Sequence, residues 1–135
     1  MGLKNVVRAT VFATKRADLS QEEFSRRFAS HGQLVSKVLL KHNAISYHQQ
    51  HRLAKYEDDF KTTLGAEVSA FFDFLDADGL VTTVFPTIAD LVGFFGDPAH
   101  EEYLNKDIAE FATLGTVRIN IGDENTVIEN GILVS

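Results

Sequence analysis

The sequence predicts an α+β fold whose strands and helices follow one another in the order β-α-β-β-α-β. Three observations predict it: a helical apolar pattern after Ser20, a strand-like run at 79–85 followed by a capped helix, and an alternating run at 116–122. The chain has 135 residues, of which 44% are hydrophobic, so it can bury one core. We therefore expect residues 1–135 to form a single domain.

The first half of the chain begins with a β-branched run at 5–13, which is typical of a strand. Ser20 and Glu23 then form a capping box, in which each side chain bonds the other residue's backbone N–H. The helix that follows should run to about Lys41 and end at Asn43. Its buried face is predicted from apolar residues at helical spacing: Phe24, Phe28, Val35, Val38 and Leu39.

A second strand is predicted at 44–53, and a third at 79–85. Between them, residues 54–77 show no clear period, so we expect a long connection with at most a short helix, and interpret it as a lid over a pocket. Thr87 with Asp90 should cap a short helix that runs through Phe95.

Asp97 and Pro98 should open the next helix, because a cap followed by proline suits a first helical turn. This helix is expected to end before Gly115. The run at 116–122 then alternates cleanly, and its apolar residues should share one face of a strand: Val117, Ile119 and Ile121.

This order is the split βαβ arrangement of ferredoxin-like folds. Helices on one face of a four-stranded sheet leave the other face uncovered, and we expect a broad apolar surface there, with Val117, Ile119 and Ile121 or their neighbours in it. Stacking two such sheets would bury it, so the pattern predicts a homodimer. The apolar tail from Thr126 is expected to cross to the partner subunit.

Composition argues against several classes of function. The net charge of -6 does not favour nucleic-acid binding, and no apolar stretch is long enough to cross a membrane. The chain has no cysteine, which excludes disulfides, thiolate metal sites and cysteine nucleophiles. We expect an intracellular, cytoplasmic protein.

His31 lies on the predicted buried face of the first helix, between Phe28 and Val35. A histidine that faces a core is most often a hydrogen-bonded structural residue. The facing strand, however, carries Tyr47 and His48, which makes His31 a candidate for catalysis.

His100 should be the third residue of a helix capped by Asp97, where the helix dipole disfavours a positive charge and favours the neutral imidazole. Tyr103, three residues later, is expected on the same side. The alternative is a surface histidine that helps to cap the helix. For His42, near the end of the first helix, we expect a structural role.

No metal or cofactor site is predicted. His48 and His51 are three apart on a strand, so they should point to opposite faces rather than share a metal. The sequence has no Gly-rich phosphate loop and no nucleophile elbow. Catalysis, if present, should depend on histidine, tyrosine and the shape of a pocket.

Several short segments in this order resemble the EthD-like branch of the dimeric α+β barrel superfamily over residues 4–122. They are Ser20-Gln-Glu-Glu-Phe24, His31-Gly-Gln-Leu-Val35, Ile45-Ser-Tyr47, Asp78-Gly79-Leu-Val and Asp97-Pro98-Ala99-His100. The pattern at 40–51 resembles members from fungal polyketide gene clusters. The segment that ends at His100 is similar to the catalytic histidine segment of plant olivetolic acid cyclase, and His31 matches a histidine that recurs in the family.

The resemblance implies a homodimeric barrel with a cleft between sheet and helices in each subunit. It also implies a cofactor-free lyase or cyclase that decarboxylates, dehydrates or cyclises an aromatic polyketide or related β-keto compound. We expect His31 and His100 to act in acid–base catalysis. The expected substrate-binding residues are Tyr47, His48, Tyr103, Phe71, Phe94 and Phe95. Two alternatives stay open: a cofactor-independent monooxygenase of anthrones, and a barrel that binds small molecules without catalysis.

Overall fold

The computed structural model describes residues 2–113, 115 and 117–134. The elements in the described ranges are β1 (Val7–Ala13), α1 (Gln21–Lys41), β2 (Ser46–His51), α2 (Ala54–Leu64), α3 (Ala66–Ser69), β3 (Gly79–Phe85), α4 (Ile88–Phe95), a π-helical turn (His100–Leu104), α5 (Asn105–Ala109), β4 (Arg118–Gly122), β5 (Ile128–Glu129) and β6 (Ile132–Leu133). None of the described helices is both long and apolar enough to span a bilayer.

Four strands form one antiparallel sheet in the order β2-β3-β1-β4, with β1 and β3 at its centre. Consecutive strands in the chain are therefore not all neighbours in the sheet, which is the hallmark of the split βαβ arrangement. The predicted ferredoxin-like α+β fold is confirmed. The tail from Thr126 forms the separate hairpin β5–β6.

Capping residues mark the bounds of two helices that the sequence predicted, α1 and α4. Ser20 accepts a hydrogen bond from the backbone N–H of Glu23 at 3.1 Å, and α1 ends before Asn43, whose φ is 68°. Thr87 accepts from the backbone N–H of Asp90 at 3.2 Å and opens α4. These short-range bonds make the helix bounds readable from the sequence.

The region 54–77 differs from the prediction, because it contains α2, a helix of 11 residues, followed by α3. No residue of α2 is buried, and Leu53 at its start makes no side-chain cap. The helix is tied to β2 through Arg52, whose guanidinium contacts Glu57 at 2.9 Å. Because α2 has neither a side-chain cap nor a buried face, the sequence shows neither of the two patterns from which a helix is usually predicted.

The apolar row of β4 faces the same side of the sheet as the helices. Ile119 pairs with Val11 and Ile121 pairs with Ala9, and residues directly opposite on paired strands share a face. Both isoleucines are about half exposed, 44% and 50%, on this edge strand. Of the residues expected on the uncovered sheet face, this row is therefore absent from it, and the neighbours Arg118 and Asn120 lie there instead. Thr116, which begins the predicted strand, lies outside the described residues.

The uncovered sheet face is mixed in character rather than broadly apolar. Its residues follow from the strand register: Arg8, Thr10, Phe12, Ser46, His48, Gln50, Leu80, Thr82, Val84, Arg118 and Asn120. The guanidinium of Arg118 lies 5.8 Å from the ring centre of Phe12 on this face. A second copy of the chain would meet polar groups here.

The core divides into two clusters on the helix side of the sheet. The smaller one is aromatic, and the ring of Phe24 lies 5.4 Å from that of Phe28 and 5.8 Å from that of Phe111. The larger one contains Ala9, Val35, Val38, Leu39, Phe85, Leu91, Phe94, Ala99 and Leu104. Along α1, His31 falls between Phe28 of the first cluster and Val35 of the second.

Gly79 is required by the aromatic cluster. A Cβ at this position would lie 2.6 Å from Cε2 of Phe28 and 3.1 Å from Cζ of Phe24. We therefore expect Gly79→Ala to lower the free energy of unfolding in urea by about 1–3 kcal/mol, the usual effect of overpacking a core. The control is Gly122→Ala on β4, where nothing lies within 4 Å of the added carbon. Equal stability of the two variants would contradict this account of the cluster.

Candidate active site

A cavity of about 390 Å³ lies between the sheet and the helices, where the two core clusters meet. Its walls are mainly apolar and include Phe28 and Phe111 from one cluster and Val35 and Phe94 from the other. Its polar lining includes His31 from α1, Tyr47 from β2 and His100 from the π-helical turn, together with Thr83, Asn105 and Thr113. A small set of polar groups in an apolar enclosure is typical of a ligand site.

His31 is held by a carboxylate. Its Nδ1 donates to Oδ2 of Asp107 at 2.7 Å, and the residue is only 7% exposed. Because Nδ1 carries the proton in this bond, Nε2 of the neutral ring is free to accept one. The pair has the arrangement in which a carboxylate orients a catalytic imidazole and stabilises its protonated form.

His100 is held by a carbonyl instead. Its Nε2 donates to the backbone oxygen of Phe94 at 2.9 Å, and its ring stacks on Phe95 with 5.8 Å between ring centres. Burial lowers the pKa of His100, although the bond to Phe94 opposes the shift. The neutral ring is therefore favoured near pH 7, with Nδ1 as the proton acceptor.

Asp97 fixes the start of the segment that carries His100. Its Oδ1 accepts from the backbone N–H of Ala99 at 2.9 Å, and its Oδ2 accepts from Nε2 of His42 at 2.7 Å and from Nζ of Lys41 at 2.9 Å. The Ala99 N–H, with His42 and Lys41, holds the pKa of this carboxyl well below its usual range. The end of α1 is thus bonded to the π-helical turn.

Tyr47 contributes a phenol to the cavity. Its Oη accepts a hydrogen bond from Nε2 of Gln49 at 3.1 Å. Burial raises the pKa of Tyr47, although the bond from Gln49 opposes the shift, so the hydroxyl keeps its proton at neutral pH.

The cavity brings together five of the residues singled out from the sequence: His31, His100, Tyr47, Phe94 and Phe95. The other three lie elsewhere. His48 follows Tyr47 directly on a strand, so it faces the uncovered side of the sheet. Phe71 is 88% exposed beyond α3, and none of residues 54–77, all of which the structure describes, lines the cavity.

Tyr103 is displaced from the expected side because the segment that it shares with His100 is a π-helical turn. In this wider turn each residue rotates less about the axis, so a residue three positions on does not return to the same face. Tyr103 lies instead in a shallow groove beside Lys37 and Lys41. Single π-helical turns inside helices occur frequently at functional sites.

Two polar residues that hydrogen-bond the side chains of the site, Asp107 and Gln49, were not found from the sequence. Asp107 follows Leu104 at helical spacing and so lies near the buried side of its helix, which was the available signal. Gln49 is two residues from Tyr47 and therefore shares its strand face. Among the residues that the structure describes, no three histidines or carboxylates come together as a metal site would require.

The contact with Asp97 gives His42 a role in positioning His100. We expect His42→Ala to lower the thermal unfolding midpoint and to move the Cε1–Hε1 NMR signal of His100, because the carboxylate loses its shortest side-chain partner. His48→Ala is the matched control, since this exposed histidine makes no contact with Asp97. An unmoved His100 signal in the His42 variant would contradict the positioning role.

Comparison with known proteins gives a family. The model of the EthD domain matches residues 16–115. No curated protein sequence matches the chain significantly.

Solved structures share the fold over most of the chain. A dimeric protein of unknown function with a ferredoxin-like fold from Bacteroides fragilis has a TM-score of 0.60 at 12% identity, over 90% of this chain and 99% of its own. Hydroxynitrile lyase from Passiflora edulis has a TM-score of 0.57 at 19% identity, over 93% of this chain and 98% of the lyase chain. A cofactor-independent oxygenase from Streptomyces nogalater has a TM-score of 0.53 at 10% identity, over 92% and 97%. Because the EthD model spans most of the sequence, the chain belongs to the EthD family, with the ferredoxin-like fold of the dimeric α+β barrels.

Proposed function

We propose that this protein is a cofactor-free lyase or cyclase that acts on an aromatic polyketide or related β-keto compound of secondary metabolism. The observation that carries the proposal is the pairing of His31 with Asp107 at 2.7 Å, in an apolar cavity that His100 and Tyr47 also line. Two imidazoles and a phenol are groups that can move protons near neutral pH.

The proposed decarboxylation and dehydration share an enolate as their intermediate. When a β-keto acid loses CO2, the bond between the α-carbon and the carboxylate breaks, and its electron pair forms the enolate. When a β-hydroxyketone loses water, a base first removes the α-proton to form the enolate, which then expels hydroxide as water with a proton from an acid. Both routes need a hydrogen-bond donor at the carbonyl oxygen and a group that transfers a proton at carbon.

The roles follow from the hydrogen bonds of each side chain. Tyr47 keeps its proton and can donate to the carbonyl oxygen as negative charge develops there. His31 can take up a proton at Nε2 and return it, since Asp107 stabilises the imidazolium. His100, with Nδ1 free, is the second proton acceptor. Phe94 and Phe95 would pack against aromatic rings of the substrate.

The test is a mass-spectrometric screen of aromatic β-keto acids and β-hydroxyketones with the parent protein and three variants. Turnover should fall roughly 100-fold or more in His31→Gln and in His100→Ala, the usual loss when a general acid or base is removed. In Asp107→Asn turnover should fall roughly 10-fold or more, because the amide no longer stabilises the imidazolium of His31. KM should change far less than kcat, because the loss falls on the transition state.

Matched controls are His48→Ala, on the uncovered sheet face, and Asp58→Asn, on exposed α2; both should turn over like the parent. Activity is expected without added flavin, nicotinamide or metal and in the presence of EDTA. Folded His31 and His100 variants that retain the parent rate would refute the histidine mechanism.

A cofactor-independent oxygenase is the second candidate, favoured by the likeness of fold to the Streptomyces nogalater enzyme. An enolate or phenolate formed in the same cavity would then react with oxygen. Oxygen uptake on addition of an anthrone separates this reaction from a lyase, which consumes none. Tight binding of such ligands without any product would instead indicate a barrel that only binds.

We also propose that the protein is a homodimer, like the Bacteroides fragilis protein. Its exposed apolar residues include Ile119 and Ile121 on the edge strand β4, and the hairpin carries others: Ile128, Ile132 and Leu133. An edge strand with an apolar row is a surface on which a second copy can pack.

Sedimentation at micromolar concentration should give about twice the chain mass of 15.0 kDa. Ile121→Lys should raise the dissociation constant of the dimer roughly 10-fold or more, because it places a charge in an apolar interface. Val68→Lys, at a similarly exposed apolar residue on α3, is the control and should leave the dissociation constant unchanged. A parent protein that sediments as a monomer would overturn the assembly.

A further inference from the structure

A short chain of hydrogen bonds runs along the helix side of β2, next to the cavity. Nε2 of Gln49 lies 2.8 Å from the backbone oxygen of Phe28 and 3.1 Å from Oη of Tyr47. Oε1 of Gln49 lies 2.9 Å from Nε2 of His51. The amide of Gln49 is thus surrounded by three partners.

The chemistry of these partners leaves one orientation for the amide. A backbone carbonyl can only accept, so the group of Gln49 that faces Phe28 must be the NH2. The amide oxygen then faces His51 and can only accept, so Nε2 of His51 must donate. The second hydrogen of the NH2 group is directed at Oη of Tyr47.

Tyr47 therefore receives a hydrogen bond from Gln49 and cannot return one, because the amide nitrogen has no free lone pair. Among the described residues, no acceptor takes the hydroxyl hydrogen of Tyr47. Burial keeps that hydrogen on the oxygen at neutral pH. The hydrogen is left for a ligand, and Tyr47 lines both the cavity and the neighbouring groove that Gly32 and Gln49 line.

We propose that Gln49 is a positioning residue that commits the Tyr47 hydroxyl to donate to an oxygen acceptor, so that the cavity selects aromatic ketones over hydrocarbons of the same shape. The inference rests on the proposed function only in treating the cavity as the substrate site. It deepens that function by assigning to Gln49 the orientation of the phenol that donates to the carbonyl oxygen.

Gly32 makes room for this arrangement. A Cβ at Gly32 would lie 2.8 Å from Nε2 of Gln49 and 3.5 Å from Cε2 of Tyr47, so any side chain there would push the amide away. The residue after His31 on α1 thus has to be glycine for Gln49 to reach both Phe28 and Tyr47. Gly32→Ala disturbs the same bond as a change of Gln49 does, but leaves the amide in the chain.

The probes for the test are 1-tetralone, an aromatic ketone, and tetralin, the hydrocarbon of the same ring system. Dissociation constants for both are measured by NMR titration with the parent and with Tyr47→Phe, Gln49→Leu and Gly32→Ala. The parent should bind the ketone roughly fivefold more tightly than the hydrocarbon, the net effect of one neutral hydrogen bond. Each variant should lose this preference while its affinity for tetralin stays close to that of the parent.

Gln50→Leu is the matched control, since Gln50 is the next residue on β2, is exposed and faces the other side of the sheet. It should keep the preference for the ketone. A parent without the preference, or Gln49→Leu and Gly32→Ala variants that retain it, would overturn the proposal. Should Gln49→Leu fail to fold, Gly32→Ala decides. The binding preference is measured independently of turnover. A protein that prefers the ketone but converts no β-keto substrate would contradict the proposed function and leave the role of Gln49 intact.

Discussion

The burial of one imidazole in the middle of α1 is the constraint on which the rest of the structure depends. His31 stands where an apolar residue would continue the buried face of the helix, and it is 7% exposed. A buried polar group without a partner costs about 1–3 kcal/mol. The fold meets this demand with Asp107, which α5 brings within 2.7 Å.

The same constraint accounts for the division of the core. On one side of His31 the aromatic rings of Phe24, Phe28 and Phe111 pack together, and on the other side Val35 begins the larger cluster, which also contains Phe85 and Phe94. The cavity lies between them and is lined by residues of both clusters and by His31. The two histidines then differ by their partners: Asp107 bonds Nδ1 of His31, while Nε2 of His100 bonds the backbone oxygen of Phe94 and burial lowers the pKa of His100.

The sequence predicted those parts of the fold that depend on neighbours in the chain. The capping residues Ser20 and Thr87 marked the starts of α1 and α4, and the apolar run at 79–85 gave β3 with the observed bounds. Helix α2 escaped prediction because it has neither a side-chain cap nor a buried face. The faces of His48 and Tyr103 were misjudged, because strand alternation and the π-helical turn direct both away from His31. Asp107 bonds His31, which is 76 positions away, and Gln49 bonds the backbone of Phe28, 21 positions away, so these two contacts leave no local pattern.

The central claim is that this cavity forms and protonates enolates. The most direct measurement is deuterium uptake at C2 of 1-tetralone in D2O, followed by mass spectrometry, because it reports proton transfer at carbon whatever the natural reaction. The account predicts exchange faster than in buffer and one favoured hydrogen of the two. It also predicts that His31→Gln lowers the protein-catalysed exchange rate roughly 100-fold. Exchange at the buffer rate, with the ketone bound in the cavity, would contradict it.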